Sequence, residues 1–257
     1  MRHRLNQFLI APWPSYVAAL SIPLLYLFQI QVRDQPALIA NFGLSATGLR
    51  AGQWQELLTF QIVHASWVHV GGNAFFALLF AVTCGGAMTR LLGAGPRGVA
   101  AFFGFYVFCG ILSGIAFVVA NLGGEFAVIG ASGAVSGLLG ASARVWGSNG
   151  RVGPILTPAV FLVTVAFMTL NLSIVLVGPD ATWSSADDMP VAWITHVAGY
   201  LAGLFLIGPW AVVLGEPHLE REGEPYAEAF DPEPVAAVEP APEPLVPLDE
   251  GLADGPA

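Results

Sequence analysis

The stretch VIGASGAVSGLLG, residues 128–140, places Ser132 beside Gly130 and Gly133 at the head of an apolar run. Membrane helices use glycine and serine at such spacing to approach each other closely, so this stretch taken alone favours a helix-packing seam. Two other polar stretches also stand near the heads of apolar runs: HVGGN at 69–73 and HVAGYLAG at 196–203. Because serine, histidine and asparagine are costly in hydrocarbon, their recurrence at these places indicates function.

Composition defines the class of protein. Of the 257 residues, 55% are hydrophobic and only 11% are charged, and the mean hydropathy is +0.68. These values are typical of an integral membrane protein. Of the 18 acidic residues, 12 lie after Gly215, so the net charge of −9 reflects the C-terminal tail and not the apolar part of the chain.

Six apolar runs are long enough to cross a bilayer, which takes about 20 residues in a helix. The sequence therefore predicts an all-α, six-helix membrane domain over residues 1–215. From 216 to 257 the chain is rich in Pro, Glu and Ala, which predicts a disordered cytoplasmic tail. The six runs lie at 11–30, 67–88, 99–122, 126–146, 154–177 and 190–214.

The arginines predict the orientation in the membrane. With a cytoplasmic N-terminus, seven arginines lie on the inner side and only Arg33 and Arg50 lie outside, which favours cytoplasmic N- and C-termini. The outer side then carries a long first loop, 31–66, and an acidic fifth loop, 178–189. The inner arginines are Arg2, Arg4, Arg90, Arg97, Arg144, Arg151 and Arg221.

This topology brings the three polar stretches to one side of the membrane. The second, fourth and sixth runs all cross from outside to inside, and each polar stretch falls near the start of its run. With a rise of about 1.5 Å per residue, the four polar residues are expected at similar shallow depths. They are His69, Asn73, Ser132 and His196.

Serine hydrolysis is the chemistry that suits this set. A serine hydroxyl needs a base to take its proton, and His196 is placed to serve Ser132. The six runs contain no Asp, Glu or Lys, so no carboxylate is available to orient the base, and a Ser-His dyad remains. His69, Asn73 and the backbone N–H groups at the head of the fourth run are candidate donors to the oxyanion of a tetrahedral intermediate.

Small residues suggest how the fourth and sixth helices approach each other. The fourth run has a face of Gly133, Gly137 and Gly140, and the sixth has a GxxxG pair, Gly199 and Gly203. Close contact between these faces would bring Ser132 and His196 within hydrogen-bonding reach.

These residues resemble the rhomboid intramembrane serine proteases, specifically the bacterial six-helix type. The resemblance covers about residues 50–205, with markers at Trp54, 64–73, 130–133 and 196–203. It implies Ser132 as nucleophile, His196 as general base, and His69 and Asn73 as oxyanion donors. It also implies a multi-pass protein of the bacterial inner (plasma) membrane that cleaves single-pass transmembrane proteins near the outer face, within membrane lipid.

Two positions depart from the usual rhomboid pattern. Gln55 follows Trp54 where arginine is common, and this difference concerns the anchoring of the first loop. Ser136 stands where bacterial members often carry a tyrosine on which the catalytic histidine stacks, and this difference concerns the rigidity of His196. Neither departure removes a reacting group.

Three further residues are better explained by structural roles than by catalysis. Cys84 and Cys109 fall inside predicted helices, where thiols are most often small buried hydrophobes, and His64 is expected to fix the first loop. The sequence suggests no cofactor, no metal and no nucleic-acid partner.

The same residues also bear on other possible functions. A secondary transporter or channel is disfavoured because the runs lack carboxylates and no two halves of the chain look alike. The closer rival is a catalytically inactive rhomboid-like protein that binds or escorts membrane helices; the presence of both Ser132 and His196 disfavours it. No HExxH motif is present for a metalloprotease.

Overall fold

The computed structural model describes residues 13–92, 95–124, 126–148, 150–177 and 192–214. Six long and three short helices lie within these residues. The short helices are α2 (Gln35–Phe42), α3 (Ala46–Arg50) and α4 (Glu56–Thr59). The long helices are α1 (Trp13–Gln29), α5 (Trp67–Leu92), α6 (Pro96–Ala120), α7 (Ser132–Trp146), α8 (Pro158–Val177) and α9 (Ala192–Leu214).

The six long helices correspond to the six apolar runs, and the prediction of an all-α membrane bundle is confirmed. Within α5, α6 and α9 the segments Trp67–Thr89, Pro96–Ala120 and Trp193–Val213 are long and apolar enough to cross a membrane. A shorter apolar helix covers Pro158–Ser173. The acidic loop around Asp187 and the predicted tail at 216–257 lie outside the described residues.

Helix α7 occupies the centre of the bundle. Nearly all of its side chains after Ser132 are buried, although it has only 15 residues. It packs against α9, α5 and α6, and to a smaller extent against α8. Such a short helix is buried on every side because small residues let its neighbours approach all around it.

Glycines produce the contact between α7 and α9 that the sequence predicted. A β-carbon at Gly199 would collide with the carbonyl oxygen of Gly133, and one at Gly203 would collide with the carbonyl oxygen of Gly137. On the other helix, α7, a β-carbon at Gly140 would collide with the carbonyl oxygen of Tyr200 in α9. The two backbones therefore touch directly, and any side chain at these positions would push the helices apart.

Hydrogen bonds from side chains to main-chain carbonyls join other pairs of helices. Ser15 Oγ of α1 donates to the carbonyl oxygen of Ala81 in α5 over 2.7 Å. Ser142 Oγ of α7 donates to the carbonyl oxygen of Phe80 in α5 over 3.0 Å. Both hydroxyls are fully buried, so these bonds satisfy groups that hydrocarbon could not.

Buried polar side chains anchor the first loop, where Gln55 replaces the common arginine. Gln29 forms two hydrogen bonds with the backbone of His64: Nε2 donates to the carbonyl oxygen over 2.7 Å, and Oε1 accepts from the N–H over 2.9 Å. The Glu56 carboxylate is 1% exposed and accepts from the backbone N–H of Ser45 over 3.0 Å. The loop therefore has anchors that do not depend on an arginine at position 55.

The predicted start of the fourth helix at Phe126 is wrong, because the helix begins at Ser132. Val128 and Leu44 exchange two backbone hydrogen bonds of 2.9 Å, which hold the preceding segment against the first loop. Gly130 then turns the chain with a φ of +114°, a conformation that favours glycine. The segment before Ser132 is apolar enough for a helix, but its backbone pairs with Leu44 of the first loop instead.

Candidate active site

Ser132 is the first residue of the central helix. Its side chain is partly buried, and Ala131, the N-cap, makes no side-chain capping hydrogen bond. The first backbone N–H groups of a helix have no partner within the helix, and the macrodipole places partial positive charge there. The turn at Gly130 thus presents Ser132 at an end of α7 that attracts a developing negative charge.

His69 and Asn73 converge beside this turn. A β-carbon at Gly130 would lie 2.7 Å from His69 Nε2 and 3.6 Å from Asn73 Nδ2. Both side chains come from the first two turns of α5, four residues apart, which places them on one face of that helix. The two nitrogens therefore flank the backbone that leads directly into Ser132.

The His69 ring is oriented so that Nε2 is the donor. The backbone N–H of Ala65 donates to His69 Nδ1 over 3.4 Å, so Nδ1 is the acceptor in this arrangement. A neutral imidazole carries its proton on the other nitrogen, so the N–H at Nε2 is directed towards the Gly130 turn.

Asn73 supplies a second donor. The residue is only 6% exposed, and its Nδ2 is one of the buried polar atoms that have no hydrogen-bond partner within the described residues. An unpaired amide donor in a buried site costs about 1–3 kcal/mol. A group that accepts this hydrogen bond during a reaction would recover that cost.

His196 lies across the glycine contact, in the first turns of α9. A β-carbon at Gly133 would lie 3.5 Å from the carbonyl oxygen of Thr195, so the residue after Ser132 meets the residue before His196. His196 is also close enough to His69 for charges on the two rings to interact. Within the described residues, Ser132 Oγ and His196 are not hydrogen-bonded to each other, although the helices that carry them touch at the adjoining residues.

Asn171 of α8 is a polar neighbour of the site that the sequence interpretation did not single out. Its Oδ1 lies 3.1 Å from His196 Nδ1, and the side chain is 4% exposed. The available signal was an asparagine within an apolar run, which usually marks function in a membrane helix. The sequence could not show that Asn171 is paired with His196, because the two residues lie 25 positions apart in different helices.

His64 fixes the loop beside the site, as its position suggested. Its Nδ1 lies 3.4 Å from the carbonyl oxygen of Ile62, and its ring meets that of His69 edge to face with centroids 5.1 Å apart. Burial, assisted by repulsion from His69, lowers the pKa of His64 to about 4. The residue is therefore a neutral structural element at physiological pH.

The cysteines and Ser136 also behave as structural residues. Cys84 and Cys109 are free thiols that are fully buried in the core. Ser136 is 7% exposed and has no ring on which an imidazole could stack. An aromatic ring at position 136 therefore does not hold His196.

Comparison with known proteins agrees with this arrangement. The family model of the rhomboid domain matches residues 51–211, a range that contains Ser132, His196, His69 and Asn73. The curated proteins give no match to the chain. Because the matched range covers well over half of the 257 residues and includes most of the helical bundle, this integral membrane protein belongs to the rhomboid family.

Proposed function

We propose that this protein is an intramembrane serine endopeptidase that cleaves single-pass transmembrane proteins near the outer membrane face. The single observation that carries the proposal is the convergence of His69 Nε2 and Asn73 Nδ2 at the Gly130 turn, next to Ser132. Two donors aimed at one place, one of them buried without a partner among the described residues, suit an oxyanion better than helix packing.

The reaction follows from the placement of these groups. Ser132 Oγ attacks the substrate carbonyl carbon while His196 Nε2 takes the hydroxyl proton. The oxyanion that forms accepts hydrogen bonds from His69, Asn73 and the first backbone N–H groups of α7. The carbon–nitrogen bond then breaks as His196 returns the proton to the leaving amine, which leaves an acyl ester on Ser132.

Water completes the cycle. His196 takes a proton from a water molecule as the water oxygen attacks the ester carbon. Collapse of the second tetrahedral intermediate breaks the bond to Ser132 Oγ, and His196 returns the proton to that oxygen. These steps require neither a metal nor an organic cofactor.

A non-catalytic role in binding or escorting membrane helices is the second candidate. The observation that favours it is the missing hydrogen bond between Ser132 and His196 within the described residues. Against it, catalytic hydrogen bonds are often long before substrate binds and tighten only in the complex. The converging donors at Gly130 also have no purpose in a simple helix-binding surface.

Labelling with a serine-directed fluorophosphonate separates the two candidates. The purified protein should be labelled and should cleave a reporter transmembrane substrate in detergent, whereas Ser132→Ala should do neither. Ser142→Ala is a matched control, because Ser142 lies on the same helix and its hydroxyl bonds to the Phe80 carbonyl oxygen. Absence of Ser132-dependent labelling and cleavage would favour the helix-binding role.

The proposed side of cleavage depends on the orientation that the arginines predict. A cysteine introduced at Asp187 should react with an impermeant thiol reagent from outside the cell, in a Cys84→Ser, Cys109→Ser background. A cysteine in the tail should react only after lysis. The reverse pattern would place the site on the cytoplasmic side.

A further inference from the structure

Asn171 points inward from a helix whose neighbouring side chains point outward. It is 4% exposed, while Leu170 and Leu172 on either side are 53% and 56% exposed. An amide turned away from lipid and towards the bundle requires polar partners there. It has two: His196 and the main chain of its own helix.

The orientation of the Asn171 amide is determined by its second hydrogen bond. Nδ2 donates to the carbonyl oxygen of Phe167 over 2.9 Å, so Oδ1 is the atom that faces His196 Nδ1 at 3.1 Å. An amide oxygen can only accept, so Nδ1 must be the donor. In neutral His196 the proton is then on Nδ1, and the lone pair is on Nε2.

That tautomer is the one a general base requires. Nε2 lies at the opposite end of the imidazole from Nδ1, so the nitrogen that Asn171 does not occupy is the one available to Ser132. The hydrogen bond also restricts rotation of the ring about its bond to the backbone. Ring orientation and proton position are both set by what the remote nitrogen contacts.

The contact between α8 and α9 contains two further interactions, neither of which involves Asn171 or His196. Thr164 Oγ1 and the Tyr200 hydroxyl are hydrogen-bonded at 2.6 Å, and the Phe167 ring stacks on Tyr200 with centroids 4.8 Å apart. Thr164, Phe167 and Asn171 follow a spacing of three and four residues, which puts them on one face of α8. Tyr200 and His196 are four apart on the facing side of α9.

We propose that Asn171 is a positioning residue that holds His196 in the Nδ1-protonated tautomer, with Nε2 available to Ser132. This hydrogen bond takes the place of an aromatic ring at position 136, where Ser136 gives the imidazole nothing to stack on. The proposal rests on the proposed function, because it assigns the orientation of that same base. Asn171 touches no reacting atom and acts only through His196.

The test compares the full-length protein with three variants in detergent. Asn171→Leu removes the acceptor at similar size, and Asn171→Asp keeps an acceptor and adds a carboxylate. Thr164→Val is the matched control, because it removes a hydrogen bond between the same two helices without touching His196. The measurements are kcat and KM for a reporter transmembrane substrate across pH, and the ¹⁵N signals of the His196 ring.

We expect Asn171→Leu to lower kcat by roughly 10- to 100-fold with KM within about twofold, since a misplaced base costs rate and not binding. Thr164→Val should keep kcat within about twofold. Asn171→Asp should recover activity at higher pH. A carboxylate favours the imidazolium, so His196 becomes a neutral base only at a higher pH, and the pH of half-maximal activity moves upwards. All variants retain His69 on α5, whose charge can act on His196, and Tyr200, which lies one turn further along α9.

The ring signals give a readout that does not depend on activity. Nδ1 of His196 should be protonated in the unaltered protein, and the proton should distribute over both nitrogens in Asn171→Leu. Three results would overturn the proposal: a proton on Nε2 in the unaltered protein, Asn171→Leu within twofold of full activity, or equal losses in Asn171→Leu and Thr164→Val. A protein without Ser132-dependent activity would instead refute the proposed function, and the ring signals would still decide the role of Asn171.

Discussion

Two of the contacts that helix α9 makes differ in construction. Against α7 it packs backbone to backbone, and a single β-carbon at Gly199 or Gly203 would collide with a carbonyl oxygen. Against α8 it is joined by side chains: Thr164 with Tyr200, Phe167 with Tyr200, and Asn171 with His196. The first contact sets how far apart the helices are, and the second orients one imidazole ring.

This difference separates two requirements of the proposed site. Ser132 and His196 must be near each other, and the close approach of the main chains at the glycine contact between α7 and α9 favours this. The imidazole must also present the correct nitrogen, which only a hydrogen bond can specify. Changes at the two contacts should therefore produce different effects.

The largest effect is expected from the pair that faces across the α7–α9 contact. Ser132→Ala, His196→Ala and the double variant should each lose about 10⁴-fold or more in cleavage rate, and to a similar extent, because removing either residue removes the whole nucleophilic step. Cleavage of a reporter transmembrane substrate measures this. If the losses in the single variants multiplied in the double variant, the two residues would not act as one unit.

Asn73 lies outside both the α7–α9 and the α8–α9 contact, and its replacement should have the next largest effect. Loss of one oxyanion donor costs about 10²–10³ in rate, and the remaining donors should keep Asn73→Ala near or below the lower limit. The variant should therefore cleave slowly, but much faster than Ser132→Ala. A folded Asn73→Ala as inactive as Ser132→Ala would contradict the assignment of Asn73 as a shared donor.

Gly199→Ala tests the backbone contact directly. The added methyl group meets the Gly133 carbonyl oxygen, and overpacking of this kind typically costs about 1–3 kcal/mol in the free energy of unfolding. Gly71→Ala on α5 is the control, since a β-carbon there meets nothing within 4 Å and alanine is the better helix former. Denaturation in mixed micelles should show a loss for Gly199→Ala only; equal stabilities would show that the contact can yield.

The smallest effect concerns His64, which lies outside both contacts. Its pKa is lowered from 6.5 to about 4, so the folded state resists protonation that the unfolded state accepts. The contribution of neutral His64 to stability is therefore full above pH 6.5 and decreases as the pH falls from 6.5 towards 4. The unfolding midpoint should fall less steeply over this range in His64→Gln, and identical slopes would contradict the shift.

Much of the fold could be predicted from the sequence because it depends on local spacing. Apolar runs of sufficient length predicted the six long helices, and glycines three or four residues apart predicted the face of α7 that meets α9. The four polar residues at the heads of the runs were also recognisable, because polar groups are conspicuous in apolar surroundings. The start of α7 was not, since the pairing of Val128 with Leu44 depends on a segment more than 80 residues away.

Within the candidate site, the sequence by itself determined which residue types were available: a serine, two histidines and an asparagine at the heads of three helices. Only the tertiary structure decided which atoms face one another. It directs His69 Nε2 and Asn73 Nδ2 to the Gly130 turn, and it pairs His196 Nδ1 with Asn171. The physical reason is that helix periodicity determines which face a residue occupies, whereas a hydrogen bond between helices depends on the distance and rotation of both helices, which all their other contacts set.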